Sequence, residues 1–458
     1  MLKESLRWLS FSEDLETEAV QCQDEGKDIR GLAERVESLS KDSGPEPDRE
    51  ALAGRLLDDF AAAPLAPGSR YTEPDELEQI RALRGWTSSL PPPRFLSDDD
   101  WVFDRIYGAW LGRCGGCLAG VPVETWTRKR IQGFARAVGN EPMTHYFSSA
   151  VPPEIRDAFG IEDSPGYYGA PLKSWINNVR HAPEDDDTNY TVLALKVLET
   201  QGQNFTSEDV AETWLTHLPI LHTCTAERVA YRNLVSGLKP PQSALHRNPY
   251  REWIGAQIRG DLFGYVTPGN PELGAELAWR DARVSHVKNG IYGEMWVAAM
   301  LSVAFQVQDP QAIILGGLGQ IPNQCRLSQR IREVLVWKES AVPWKEAVDR
   351  IHALYDETCP HDWCHTISNA MVVCTSLLYG GADYGQTVSM AVLSGFDTDC
   401  NAATAGSIVG LSLGAKSLPA SWLEPLNDTL QSGVDGMGLE RISTLARRTV
   451  SVMRTMKS

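Results

Sequence analysis

The sequence predicts an all-α protein. Apolar residues recur at three-to-four spacing through most of residues 101–458, convincing strands are scarce, and no internal repeat of solenoid length is present. With 458 residues the chain has room for a large core and an added module.

Taken in order, residues 1–100 alternate acidic helical stretches with turn-rich ones, "KDSGPEPDRE", "APLAPGS" and "SSLPPPRFLSDDD". Pro91–Pro93 read as a linker, and Ser97 to Asp100 as the cap of the next helix. This makes 1–100 a helical extension without visible chemistry, and 101–458 the main domain. In "DRIYGAWLGRCGGCLAG" the residues Ile106, Ala109, Trp110 and Cys114 share helical spacing, and small residues permit close packing. Further helices are expected over 191–201, 207–217, 225–236, 271–282, 290–307, 326–338, 344–356, 365–379, 384–394 and 401–412. "AIILGGLG" and "SMAVLSG" have strand-like composition, but each continues a helical period.

The net charge is −17, and −11 of it falls on residues 1–100, which hold 12 basic against 23 acidic residues. Such a surface disfavours nucleic-acid duplexes and anionic membranes. No apolar run approaches a membrane span, and the acidic start does not suit a secretory signal. Nine scattered cysteines do not form a disulfide framework, so a cytoplasmic protein with reduced thiols is expected.

The chemistry concentrates in three stretches. Residues 184–191, "EDDDTNYT", put Asp185, Asp186 and Asp187 where an apolar helix begins. One aspartate there is a cap. Three are more than a cap needs, and they repel one another unless cations lie between them. Residues 394–410, "SGFDTDCNAATAGSIVG", repeat the theme with Asp397 and Asp399 before a small-residue helix. Together the two stretches could supply four or five oxygen ligands, a set suited to Mg²⁺, Mn²⁺ or Ca²⁺ and to a pair of ions about 3.5–4 Å apart. Residues 108–124, "GAWLGRCGGCLAGVPVE", carry glycine at every fourth position and end in Glu124.

In order and spacing these stretches resemble the ADP-ribosylglycohydrolases, which include the dinitrogenase reductase-activating glycohydrolase and the ADP-ribosylarginine hydrolases. The resemblance covers about 101–415 and implies a compact multi-helix domain with a dinuclear Mg²⁺ or Mn²⁺ centre. It places Asp186, Asp187 and Thr188 on the family's Asp-Asp-Thr, with Asp185 where the family has Thr. Asp397 and Asp399 match its late aspartates. The metal ligands implied are Asp185, Asp186, Asp187, Asp397, Asp399 and Cys400. Cys400 replaces a threonine there, an unsuitable partner for Mg²⁺ for which Asn401 could compensate, and Cys117 replaces an aspartate. Glu124 matches the family's catalytic-site glutamate, and Asp187 or Asp399 would accept a proton from water. For the substrate pocket the resemblance implies His286, Gln257 and Asp261. A lone His also serves simply as hydrogen-bonded structure. His365 and Asn369, one helical turn apart, could face the same pocket.

Two further motifs compete. "CGGC" has redox spacing without a surrounding βαβ pattern, so packing is its reading. "CPHDWCHT" has zinc-like spacing, yet relatives carry a similar helix start without zinc. The implied function is metal-dependent hydrolysis of a ribosyl C1 bond to nitrogen or oxygen, with an ADP-ribosyl protein or small molecule as substrate. An N-glycosidase of a nucleoside or other small ribosyl compound, and a non-catalytic ADP-ribose-binding module, are the alternatives.

Overall fold

The computed structural model describes residues 7–41, 46–68, 71–85 and 96–456; the expected Pro91–Pro93 linker lies outside them. In the N-terminal part, α1 (Phe11–Asp24), α2 (Leu32–Ser40) and α3 (Glu46–Ala62) close around a small core that includes Leu15, Val36, Leu57 and Phe60. Part of the acidic excess of this region is buried against cations of the main body. Arg251 reaches Glu18 at 2.6 Å and Glu25 at 2.8 Å, Lys288 reaches Glu25 at 2.6 Å, and Arg326 reaches Glu73 at 2.8 Å.

The body begins with α4 (Asp99–Gly120), whose first turn is capped by Asp98 accepting the Trp101 N–H at 3.1 Å. It continues through α5 (Arg128–Ala137), α6 (Asp186–Gln201), α7 (Ser207–His217), α8 (Thr225–Val235), α9 (Pro271–Ala282) and α10 (Lys288–Ala304). Then come α11 (Pro310–Leu318), α12 (Arg326–Glu339), α13 (Trp344–Leu354), α14 (Thr366–Gly380), α15 (Tyr384–Leu393), α16 (Thr398–Leu413) and α17 (Ile442–Thr455). All ten segments expected beyond α4 are helices, and "AIILGGLG" lies largely in α11. A single antiparallel pair among the described residues, β1 (Thr429–Gln431) with β2 (Leu439–Arg441), departs from the helical pattern. Ala182 exchanges backbone bonds with Thr429 and Gln431, which ties the approach to α6 onto β1. Among the described residues no helix is long and apolar enough to cross a membrane, and all nine cysteines are free.

Two helices set the architecture. A β-carbon at Gly108, Gly112 or Gly116 of α4 would collide with the backbone of Gly410, Gly406 or Ala402 of α16, and one at Gly120 with Asp399. The glycine period therefore lets two helices run antiparallel at backbone contact. The C-terminal end of α4 is thereby pinned to the N-terminal end of α16, where Thr398 donates to the Gly120 carbonyl at 3.0 Å. Because neither backbone can yield, Gly116→Ala should destabilise the fold by about 2–3 kcal/mol, read as a lower denaturant midpoint at unchanged slope.

Candidate active site

Three elements bring the acids together. Glu124 follows the short turn after α4, Asp185 to Asp187 open α6, and Asp397 and Asp399 open α16. Asp185 does act as a cap, accepting the Asp187 N–H at 3.0 Å. Before Asp397 the chain turns through Gly395 and Phe396, both at positive φ. For Phe396, at φ 57°, this is an unfavourable conformation of the kind that accumulates at functional sites. Three groups of ligand-type atoms result, each with all members within 4.8 Å of one another: Cys117 with Asp185 and Asp187, Asp187 with Asp399 and Cys400, and Glu124 with Asp397 and Asp399. Asp187 and Asp399 each belong to two groups, so the three form one continuous centre. Asp186 stands half-buried on the first turn of α6, outside these groups, but close enough to raise the Glu124 pKa.

The electrostatics are those of crowded, buried acids. Burial, and next the facing carboxylates, raise Asp185, Asp397 and Asp399 well above the ordinary carboxylate range. Glu124 is pushed up to about 7 by burial, opposed by the hydrogen bond that Tyr167 donates to it. Asp187 also rises to about 7 through burial, held back by Arg113. Arg113 is fully buried on α4 and pairs with Asp187 Oδ1 at 2.8 Å and Asp261 Oδ2 at 2.9 Å. It also donates to the backbone carbonyls of Asp187 and Ile258. Asp187 Oδ2, Asp399 Oδ1 and Asn401 Oδ1 are buried without a hydrogen-bond partner. Orphaned oxygens amid like charge are what a divalent cation satisfies, so the donor set fits one.

Beside the centre lies a cavity of about 300 Å³ whose lining includes Trp126, Arg130, Tyr167, Lys173 and Trp175. Tyr167 links it to Glu124. None of these residues stood out in the sequence.

The other residues expected at the substrate pocket have diverse placements. Asp261 is engaged by Arg113 and, at 3.2 Å, by Tyr265, behind the centre. Gln257 is buried with both amide atoms unpartnered, against Gly293. His286 joins a separate buried network: its Nδ1 lies 2.8 Å from Ser285 Oγ, which accepts from Arg259, and Arg259 pairs with Glu227 and Asp281. The Asn369 side-chain oxygen accepts from Asp397 N–H and the Asn401 amide, and its nitrogen donates to the Trp363 and His365 carbonyls. It shapes the Asp397 turn rather than offering free polar atoms to a ligand. His365 faces away from the acids, into a different cavity of about 430 Å³ shared with Asp24 and Arg326, and groups with Asp24 and His361. There the Ile367 N–H donates to His365 Nδ1 and the Trp253 indole to His361 Nδ1. Both rings in this arrangement carry their proton on Nε2, which opposes metal binding through those atoms. Cys359 and Cys364 of the zinc-like motif are not in that group.

Cys117 is the main residue that sequence reading undervalued. Packing describes both cysteines of "CGGC", Cys114 in the large core and Cys117 against Val121 and Ala403, and the Cys117 thiol also lies within 4.8 Å of Asp185 and Asp187 carboxylate oxygens. The signal was available in its place among the family's aspartates.

The family model described as ADP-ribosylglycohydrolase matches residues 98–457. A solved structure described as "ADP-ribosylglycohydrolase-related protein complex" is similar at 18% identity, covering 78% of this chain and 99% of that chain, with a TM-score of 0.45. No curated protein matches the chain.

Proposed function

Because the chain belongs to the ADP-ribosylglycohydrolase family, we propose that it hydrolyses the bond between C1 of a ribose and a nitrogen or oxygen, releasing ADP-ribose from a modified protein or small molecule. The observation that carries this is the convergence of Glu124 with aspartates from two distant stretches beside a cavity lined with aromatic and cationic side chains. We assign the catalytic unit to 101–458 and a bracing role to 1–100, whose acids dock on it. Two divalent cations, Mg²⁺ or Mn²⁺ with Ca²⁺ as a further option, would be held by Asp185, Asp186, Asp187, Asp397 and Asp399. When bound they supply Lewis acidity and offset the carboxylate charge.

The residues supply the rest. Departure of the leaving group builds positive charge at C1, and the surrounding carboxylates stabilise it. Glu124, whose carboxylate accepts from Tyr167 beside the cavity, is placed to give or take a proton. Arg113 holds Asp187 Oδ1 and leaves Oδ2 to accept a proton from the attacking water. Lys173 and Arg130 offer positive charge to the diphosphate arm.

Incubation with ADP-ribosyl-arginine, ADP-ribosyl-serine and a nucleoside panel tests this. Free ADP-ribose should appear with Mg²⁺ or Mn²⁺ and not with EDTA. Free base from nucleosides alone would instead favour the N-glycosidase reading, and tight ADP-ribose binding without any product the binding module.

A further inference from the structure

The donor set around the aspartates is not made of oxygen alone. Cys117 Sγ lies with the carboxylates of Asp185 and Asp187, and Cys400 Sγ with those of Asp187 and Asp399. The two thiols come from different walls, Cys117 from α4 and Cys400 from α16, and Asp187 is common to both groups. Their positions are fixed by the backbone contact of Gly116 with Ala402 and Ala403, one residue before Cys117 and two or three after Cys400. Both thiols are buried. Cys400 borders the large apolar core that holds Cys114, and Cys117 packs on Val121 and Ala403, but only Cys117 and Cys400 also reach the aspartates. The Cys400 thiol hydrogen-bonds the Asp187 and Asp397 carboxylates, and beside the orphaned Asp399 Oδ1 a shared cation would take the place of that proton.

We propose that Cys117 and Cys400 are metal ligands, so that the centre prefers a thiolate-accepting divalent cation of the Zn²⁺ or Co²⁺ class over Mg²⁺. This rests on the reading that the centre holds divalent cations at all. Each ligation exchanges one S–H proton, released to solvent, for one metal–sulfur bond, with no change in oxidation state. Sulfur selects borderline and soft ions, whereas carboxylates alone favour Mg²⁺, Mn²⁺ and Ca²⁺.

The experiment is Co²⁺ titration of the full-length, metal-free protein, followed in the near ultraviolet, where thiolate ligation gives an intense charge-transfer band that oxygen and nitrogen ligands do not. The unsubstituted protein should show the band, C117S and C400S should each diminish it, and the double variant should lose it. C364S, outside the centre, should keep it. Each single variant should weaken Co²⁺ binding roughly tenfold or more while changing Mg²⁺ affinity less than about threefold. Ion binding at Asp24, His361 and His365 would give no such band. Cadmium NMR of the unsubstituted protein gives an answer that does not depend on any variant folding, because sulfur ligands move the resonance strongly downfield. Mn²⁺ binding by electron paramagnetic resonance, together with a Co²⁺ complex lacking the band, would overturn the thiol assignment and leave the cation centre standing. Failure of Mn²⁺, Co²⁺ and Cd²⁺ alike to bind would overturn the cation centre itself.

Discussion

Asp399→Asn should cut ribosyl hydrolysis on the order of 10³-fold, equivalent to about 4 kcal/mol of transition-state stabilisation, while raising the melting temperature of the metal-free protein. The two effects have one cause. Asp399 belongs to two of the three ligand groups and has an oxygen with no partner, so it adds negative charge to an already crowded buried cluster. Its folded pKa lies well above the ordinary carboxylate value, chiefly through burial and then through Glu124 and Asp397. A raised carboxyl pKa means that the folded state holds its proton more tightly than the unfolded state. The acid therefore costs nothing below the unfolded pKa and erodes stability progressively as pH rises from there through the folded pKa. An amide cannot ionise, so the variant's advantage in melting temperature should be absent at pH 3–4 and grow toward neutrality. Added Mn²⁺ should stabilise the parent protein far more than the variant. A variant with full turnover and an unchanged metal-induced shift would remove Asp399 from the centre.

Helical period made the fold legible. Strict three-to-four spacing in 271–282 or 384–394 is enough to place a helix, and glycine at every fourth residue of 108–120 announces a close neighbour. The acids were legible because charge at helix starts is conspicuous against apolar followers. Other features left little local trace. Three-residue strands such as Thr429–Gln431 have no period to read, and α17 lies outside the expected helices although its pattern is amphipathic. His365 and Asn369 share a helical face, yet the N-terminal turn of α14 uses one imidazole nitrogen of His365 as a cap. Their roles therefore diverge within a single turn. The acidity of the first hundred residues suggested a repellent surface, whereas Glu18, Glu25 and Glu73 are spent on Arg251, Lys288 and Arg326. Pairing across more than two hundred residues is a tertiary fact that composition does not carry.

Arg113 is the sharpest case of that kind, and its removal should have the second large effect. Within the sequence it is one arginine among glycines. In the fold it is fully buried, forks between Asp187 and Asp261, and also satisfies two backbone carbonyls. Arg113→Met keeps most of the volume and leaves two carboxylates without their cation, so the fold should lose about 3–5 kcal/mol, measured by denaturant unfolding. Arg113→Lys should recover only part, because one ammonium cannot reproduce the forked bonds. Adding Asp261→Asn to the Met variant should restore more than half of the loss, since it removes one of the two stranded charges. Cation affinity separates the structural role from the functional one. Asp261 lies outside the ligand groups, so Asp261→Asn alone should leave Mn²⁺ affinity within about threefold, whereas Arg113→Met frees Asp187 Oδ1 and should weaken or redistribute Mn²⁺ binding even in the restabilised double variant. Equal Mn²⁺ affinity in the parent and the double variant would mean that Asp187 is oriented by its helix alone, and that Arg113 serves stability only.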